Sequence, residues 1–326
     1  MSSPNRLTKL ALWMLFIMGA ILISAKIYTG PLREASPFKN LTLPDFNFSS
    51  TYIYSYENEQ LAGIVKKNLS GIEGQFGVYI EDLNSDDKYE FNGQHSFLTA
   101  SLYKLFLLAA VLKEVENGQL SLDDGLSWSK SALIEAYGEL DFGYEEVSET
   151  INYSVDEALM RVGRISDNFA SIMLAEKIGW EKLQQVADKL GVSGTVLTGD
   201  SFSTTAKDIG LYFKLLYQKR VVSEVVSSQI IEYLSLNQIN NRLPAKLPKD
   251  EENRPLGWQV VHKTGELAGI RHDVGIVILQ GDALEARAYV IVLMSKDLKY
   301  EDEAIEAMAN LSKEVYDYFE NKYDSR

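Results

Sequence analysis

The sequence contains no cysteine among its 326 residues. That excludes disulfides, thiolate-ligated metal, a thiol nucleophile and a lipidated cysteine. Histidine is nearly as scarce, with His95, His262 and His272 alone. None has a partner at a metal-ligand spacing such as H-E-x-x-H, so no metal or other cofactor is expected. Seven prolines and the absence of any low-complexity tract argue against long disordered segments. Positive charge is also in short supply. Lys and Arg total 32 against 46 Asp and Glu, a net charge of −14. Such a surface repels phosphates, which speaks against a nucleic-acid partner. The hydrophobic share of 46% and charged share of 24% are those of a globular chain with a sizeable core.

One long apolar run is present near the start. "NRLTK" carries Arg6 and Lys9, and "LALWMLFIMGAILISA" follows from Leu10 to Ala25. A basic flank before an apolar run is an export signal with its basic end on the cytoplasmic side. Residues 1–28 are expected to form a membrane anchor, with cleavage after Ala25 as the alternative. The run is short against the roughly 20 residues of a spanning helix, but Lys26 can snorkel and Ile27 and Tyr28 extend it. Residues 29–55, with Pro31, Pro37 and Pro44, then read as a tether. Residues 56–326 read as one domain, exposed outside the cytoplasm and monomeric.

Within that domain, "QFGVYIEDL" and "KYEFN" read as two strands joined by the turn "NSDD". Helical periodicity dominates from Ser101 to about Tyr233. "SVDEALMRV" has Ser154 as its N-cap, and "NFASIMLAEKIG" and "WEKLQQVADKLG" each end in a capping glycine. Strands return in "WQVVHKTG", "RHDVGIVIL" and "ARAYVIVLM", with Gly281 and Asp282 in the turn between the last two. A long amphipathic helix closes the chain. This order predicts an α+β fold: an antiparallel sheet assembled from distant segments, packed by terminal helices, with a helical block between.

The segment "FLTASLYKLFLLAAVLKEVENG" (97–118) places Lys104 at the head of eight apolar residues. Ser101 lies three residues earlier, on the same helical face, where hydroxyl and ammonium can meet. Backbone N–H groups at a helix start favour developing negative charge. Burial lowers the pKa of a lysine, which suits it to take a proton from serine. The spacing by itself is common: Ser36–Lys39, Ser85–Lys88 and Ser127–Lys130 share it. An ordinary N-cap with a snorkelling lysine fits it too. Two further motifs occur once each, Ser166-Asp167-Asn168 and Lys263-Thr264-Gly265. S-x-x-K, S-D-N and K-T-G in this chain order form the signature of penicillin-binding proteins and class A β-lactamases.

From about Tyr56 onward the chain therefore resembles the penicillin-recognising serine hydrolases, most closely the class A β-lactamase-like branch. The intervals from Ser101 to Ser166 and from Ser166 to Lys263 suit a small class A-type domain of β-lactamase/transpeptidase-like fold. The resemblance implies Ser101 as the acylated nucleophile, Lys104 as its base and Ser166 as the proton carrier to the leaving nitrogen. It implies Asn168 as a contact for the substrate's amide, and Lys263 and Thr264 as the holders of its carboxylate. Gly265 would allow close approach of the strand, and the backbone N–H of Glu266 would share the oxyanion hole with that of Ser101. The ligand would be a β-lactam or a peptidoglycan peptide. His262, alternating with Lys263 on its strand, is expected to be structural. Arg271 is a candidate second contact for a carboxylate, or else a partner in a structural ion pair.

The sequence departs from class A β-lactamases in one respect. Their Ω-loop carries Glu-x-x-Leu-Asn, whose glutamate positions the deacylating water. The matching stretch, "KLGVSGTVLTGDSFSTT", has no glutamate. Asp200 could hold a water or cap the turn before the next helix. Acylation chemistry is thus expected to be intact and deacylation slow. The alternatives are a penicillin-binding D,D-carboxypeptidase or transpeptidase, a non-hydrolytic sensing module, and a structural protein with a dead site.

Overall fold

Five strands, buried along most of their length, set the architecture. The computed structural model describes residues 58–85, 87–137, 149–199, 202–279 and 287–324. The expected anchor and tether, Asp200 and the Gly281–Asp282 turn lie outside these residues. Among the described residues no helix is long and apolar enough to cross a membrane.

The main sheet runs β2 (Lys88–Phe91), β1 (Gln75–Asp82), β9 (Arg287–Lys296), β8 (Ile270–Leu279), β7 (Trp258–Leu267), with every pairing antiparallel. The first strand of the domain thus lies beside the last. Side chains of period two divide the sheet's contacts between two cores. Val78, Ile80, Ile291, Leu293 and Val277 meet α1 (Glu59–Leu69) and α9 (Glu301–Asp324). Tyr79, Val261, Val274, Val290 and Val292 meet the helical block. The expected α+β arrangement, with terminal helices on the sheet and a helical block between, is the one observed.

At the centre of that block is α2 (Tyr103–Glu116), buried without a break from Lys104 to Leu112. A helix apolar on all sides is a core helix, so the lysine is enclosed by the fold. Around it stand α4 (Val155–Ile165), α5 (Asn168–Ile178), α6 (Glu181–Leu190), α7 (Ala206–Tyr217) and α8 (Glu224–Ser235). Ser154 caps α4 by accepting from the Glu157 N–H at 3.1 Å. Gly179 and Gly191 end α5 and α6 at positive φ.

The span predicted as helical also holds strands. β4 (Gly125–Ser129) and β5 (Thr150–Ser154) pair, with α3 (Lys130–Tyr137) following β4. β3 (Phe97–Leu98) and β6 (Ser203–Thr204) form a two-residue ladder. Both ladders join segments distant in sequence, and these strands are too short to show a period.

Candidate active site

Three elements bring the motif residues together. The first is the turn before α2. Ala100–Leu102 form one turn of 3₁₀ helix, so the α-helix starts two residues after Ser101. Ala100 has φ +44°, a left-handed conformation that costs a residue with a Cβ about 1–2 kcal/mol. Neighbouring contacts hold it there. The Thr99 N–H donates to the Phe202 carbonyl at 2.9 Å, and the Leu102 N–H to the Thr99 carbonyl at 2.8 Å. His272 on β8 bonds the Leu98 carbonyl through Nε2 at 2.9 Å. Ser101 itself is half-buried.

The second element is the break between α4 and α5. Ser166 ends α4 at φ +57°, and Asp167 caps α5 by accepting from the Ala170 N–H at 3.0 Å. Arg161 Nε secures the same carboxylate at 2.7 Å. One residue in left-handed conformation thus turns the chain and aims the Ser166 and Asn168 side chains at α2.

The third element is β7. Gly265 is where this strand reaches the Ser101 turn. A Cβ there would lie 3.2 Å from the Thr99 carbonyl oxygen, 3.3 Å from Ala100 Cβ and 3.1 Å from His272 Cδ2. Only a residue without a side chain keeps that approach unstrained.

The three elements meet at two buried ammonium groups. Lys104 Nζ donates to the Ser166 carbonyl at 2.5 Å, to Asn168 Oδ1 at 2.7 Å and to Ser166 Oγ at 3.2 Å. Lys263 Nζ donates to Ser166 Oγ at 2.7 Å and to the Thr264 carbonyl at 2.8 Å. One hydroxyl therefore links both lysines, and both are fully buried. Burial pushes the Lys263 ammonium well below its usual range, and the nearby Lys104 charge adds to that. Asp273 and Glu266 act in the opposite direction. The arrangement is a hydrogen-bonded chain, Lys104–Ser166–Lys263, beside a half-buried serine.

His262 belongs to the supporting structure. Its Nδ1 lies 2.8 Å from Asp273 Oδ1 and its Nε2 3.1 Å from Asn240 Oδ1. Arg271 forms the structural ion pair and not a pocket contact. Its Nη1 donates to the Leu267 and Ile270 carbonyls at 2.8 and 2.7 Å, and its Nη2 pairs with Glu301. In its place stands Arg242, a residue that no motif marks. Arg242 is fully buried and pairs with Glu266. Its only sequence cue is a cation inside the weakly periodic stretch "NRLPAKLP".

After α6 the described residues are tied together from both sides. Val196 bridges Ser203, and the Leu197 N–H donates to Gln184 Oε1 at 2.6 Å. Thr195 Oγ1 contacts Thr204 Oγ1 at 2.8 Å and donates to Asp208 Oδ2 at 2.9 Å. Burial raises the Asp208 carboxyl above its usual range. Rings from three separate segments gather beside the Ser101 turn. Tyr103, Trp180 and Phe202 pack with centroids 5.8–6.0 Å apart.

This architecture is that of a penicillin-recognising serine enzyme in fold. The chain belongs to the beta-lactamase enzyme family, whose sequence profile matches residues 58–319. It is 25% identical over 287 residues to a beta-lactamase of Bacillus subtilis (strain 168), covering 82% of this chain and 90% of that one. Among solved structures it is similar to a beta-lactamase from Sphaerobacter thermophilus DSM 20745, with TM-score 0.69 and 19% identity. That likeness covers 81% of this chain and 98% of the other. It is also similar to PBP-A, with TM-score 0.68, 23% identity, and 81% and 97% covered. A point mutant of PBP-A was solved as an acyl-enzyme complex with penicillin G.

Proposed function

We propose that the chain is a serine hydrolase that forms an acyl-enzyme at Ser101 with β-lactams and releases it slowly. The observation carrying this reading is the convergence of Lys104, Ser166, Asn168 and Lys263 beside the Ser101 turn.

Ser101 Oγ attacks the carbonyl carbon of the lactam amide, and its proton passes to Lys104 Nζ once that ammonium has released a proton. The oxyanion that forms is met by the backbone N–H groups of Ser101 and Glu266. As the C–N bond breaks, the Ser166 hydroxyl gives its proton to the departing nitrogen and is reprotonated from the lysines. The product is an ester at Ser101. The lactam nitrogen stays tethered, so the adduct carries the whole mass of the drug. Release needs water to add to that ester. The family's water-positioning glutamate has no counterpart in "KLGVSGTVLTGDSFSTT". The described carboxylate nearby, Asp208, is engaged by Thr195.

The same feature favours a second reading, a penicillin-binding protein acting on a cell-wall peptide, in line with the likeness to PBP-A. In either reading the basic and apolar N-terminal segment would hold the domain on the outer side of the membrane.

The test is intact mass after exposure to benzylpenicillin, followed over hours. An adduct of full drug mass is expected on the native chain and absent from Ser101→Ala. Labelling of Ser101→Ala, or none on the native chain, refutes the assignment. Rapid turnover of nitrocefin without a persistent adduct refutes slow release.

A further inference from the structure

At the Glu266 end of β7 the charged side chains differ in what they show to solvent. Lys263 and Arg242 are both fully buried, whereas the Glu266 side chain is 44% exposed. Arg242 Nη2 donates to Glu266 Oε1. Its Nε and Nη1 are buried with no hydrogen-bond partner among the described residues. The guanidinium is built into the fold. The next residue's N–H, that of Leu243, donates to Asp273 Oδ2 at 2.9 Å, and the Leu243 carbonyl accepts from Ser312 Oγ at 2.8 Å. Arg242 thus stands on a loop that is tied down at the next residue, with its guanidinium enclosed. Its charge reaches the surface only through the carboxylate it holds.

That carboxylate sits one residue from Gly265, the point where β7 approaches Ala100 and the nucleophile turn. It is close enough for its charge to act on the Lys263 ammonium. Thr264, on the other side of Gly265, is 1% exposed. Of these charges a substrate group arriving at this end of β7 thus meets the exposed carboxylate, on a chain whose net charge is already −14.

Resting on the acyl-enzyme reading above, we propose that Glu266 sets the substrate class. The cleft prefers an amide whose neighbouring substituent on the β7 side is neutral or cationic, and it disfavours a free carboxylate there. Arg242 is a positioning residue: it fixes the Glu266 carboxylate at the mouth. Glu266→Gln keeps a hydrogen-bond acceptor for Arg242 and removes the negative charge that an anionic substrate would meet.

The experiment compares benzylpenicillin with its methyl ester, which has the same ring and no carboxylate charge. Acylation rates of both are read by intact mass on the native chain, Glu266→Gln and Glu266→Ala. Removing one charge at close range is expected to raise the acid-to-ester rate ratio by about tenfold in the Gln variant. It should move in the same direction in the Ala variant, where no side-chain amide is present. A ratio that stays the same or falls in both variants overturns the inference and leaves the acyl-enzyme reading standing. If neither probe forms an adduct on the native chain, the reading fails and the inference falls with it.

Discussion

Protonation of His272 should loosen the Ser101 turn and destabilise the domain in mild acid. The ring is fully buried. Its Nε2 lies 2.9 Å from the Leu98 carbonyl, and its Nδ1 accepts from the Ser295 N–H at 3.1 Å. These partners fix the neutral tautomer with its proton on Nε2. A second proton would set an N–H against the N–H of Ser295, inside the fold. Burial accordingly lowers the imidazole from 6.5 to about 4. The unfolded chain takes up the proton near pH 6.5 and the folded chain only near 4. Stability from this residue is thus fully present above about pH 6.5 and is lost as pH falls toward 4. At about 1.4 kcal/mol per pH unit the loss reaches about 3 kcal/mol. The assay is urea unfolding of the native chain and His272→Gln at several pH values between about 4 and 7. Taking the difference between the two proteins cancels the carboxylates common to both. That difference should shrink by about 3 kcal/mol from about pH 7 to pH 4. A difference that does not change with pH refutes the reasoning. Because Leu98 lies three residues before Ser101, β-lactam acylation by the folded chain should decline only as pH falls to about 4, where the folded ring itself takes up the proton.

Two further outcomes follow from contacts already described. Gly265→Val should cut β-lactam acylation by about a hundredfold, since its side chain would wedge β7 away from Thr99 and Ala100, where even a Cβ lies within 3.1–3.3 Å of its neighbours; an acylation time course by mass checks this, and an unchanged rate contradicts it. Lys322 donates to Asp82 at 2.7 Å, Asp87 at 2.9 Å and Ser85 at 3.1 Å, tying α9 to the β1–β2 turn. For Asp82 burial works against ionisation, but this lysine, Ser85, the Asn84 N–H and Tyr323 together hold the carboxyl below its usual range. Lys322→Met leaves that buried carboxylate without its cation and should cost about 3 kcal/mol in urea unfolding at about pH 7, while the acylation rate of the folded protein stays unchanged. A cost under about 0.5 kcal/mol would show the ion pair to be solvated.

The parts of this fold legible in the sequence are those in which one segment carries its own signal. β7, β8 and β9 are rich in β-branched residues along most of their length, and α9 repeats with the helical period. Their types could therefore be read without knowing their partners. The ladders β3–β6 and β4–β5 could not, because each strand is defined by the one opposite it. The site divides in the same way. Ser101, Ser166 and Lys263 stood out as motifs, and Lys104 as an ammonium inside an apolar run. Their chemistry, however, depends on backbone that residue type argues against. Ala100 and Ser166 both sit at positive φ without being glycine, so propensity would place neither turn.

Arg242 and Arg271 show the remaining limit. Each is one arginine near a strand end or loop, and Arg271 drew attention because it follows the K-T-G motif closely. It does stand opposite Glu266 in the β7–β8 register. The partner it takes is nevertheless Glu301, at the head of α9, more distant in sequence and reached only once that helix packs on the sheet. Arg242 is then the cation that meets Glu266. Which arginine pairs with Glu266 goes with the other being held by Glu301 of α9. The charge at the cleft mouth is therefore a property of the whole fold, and no motif around Lys263 could have disclosed its sign.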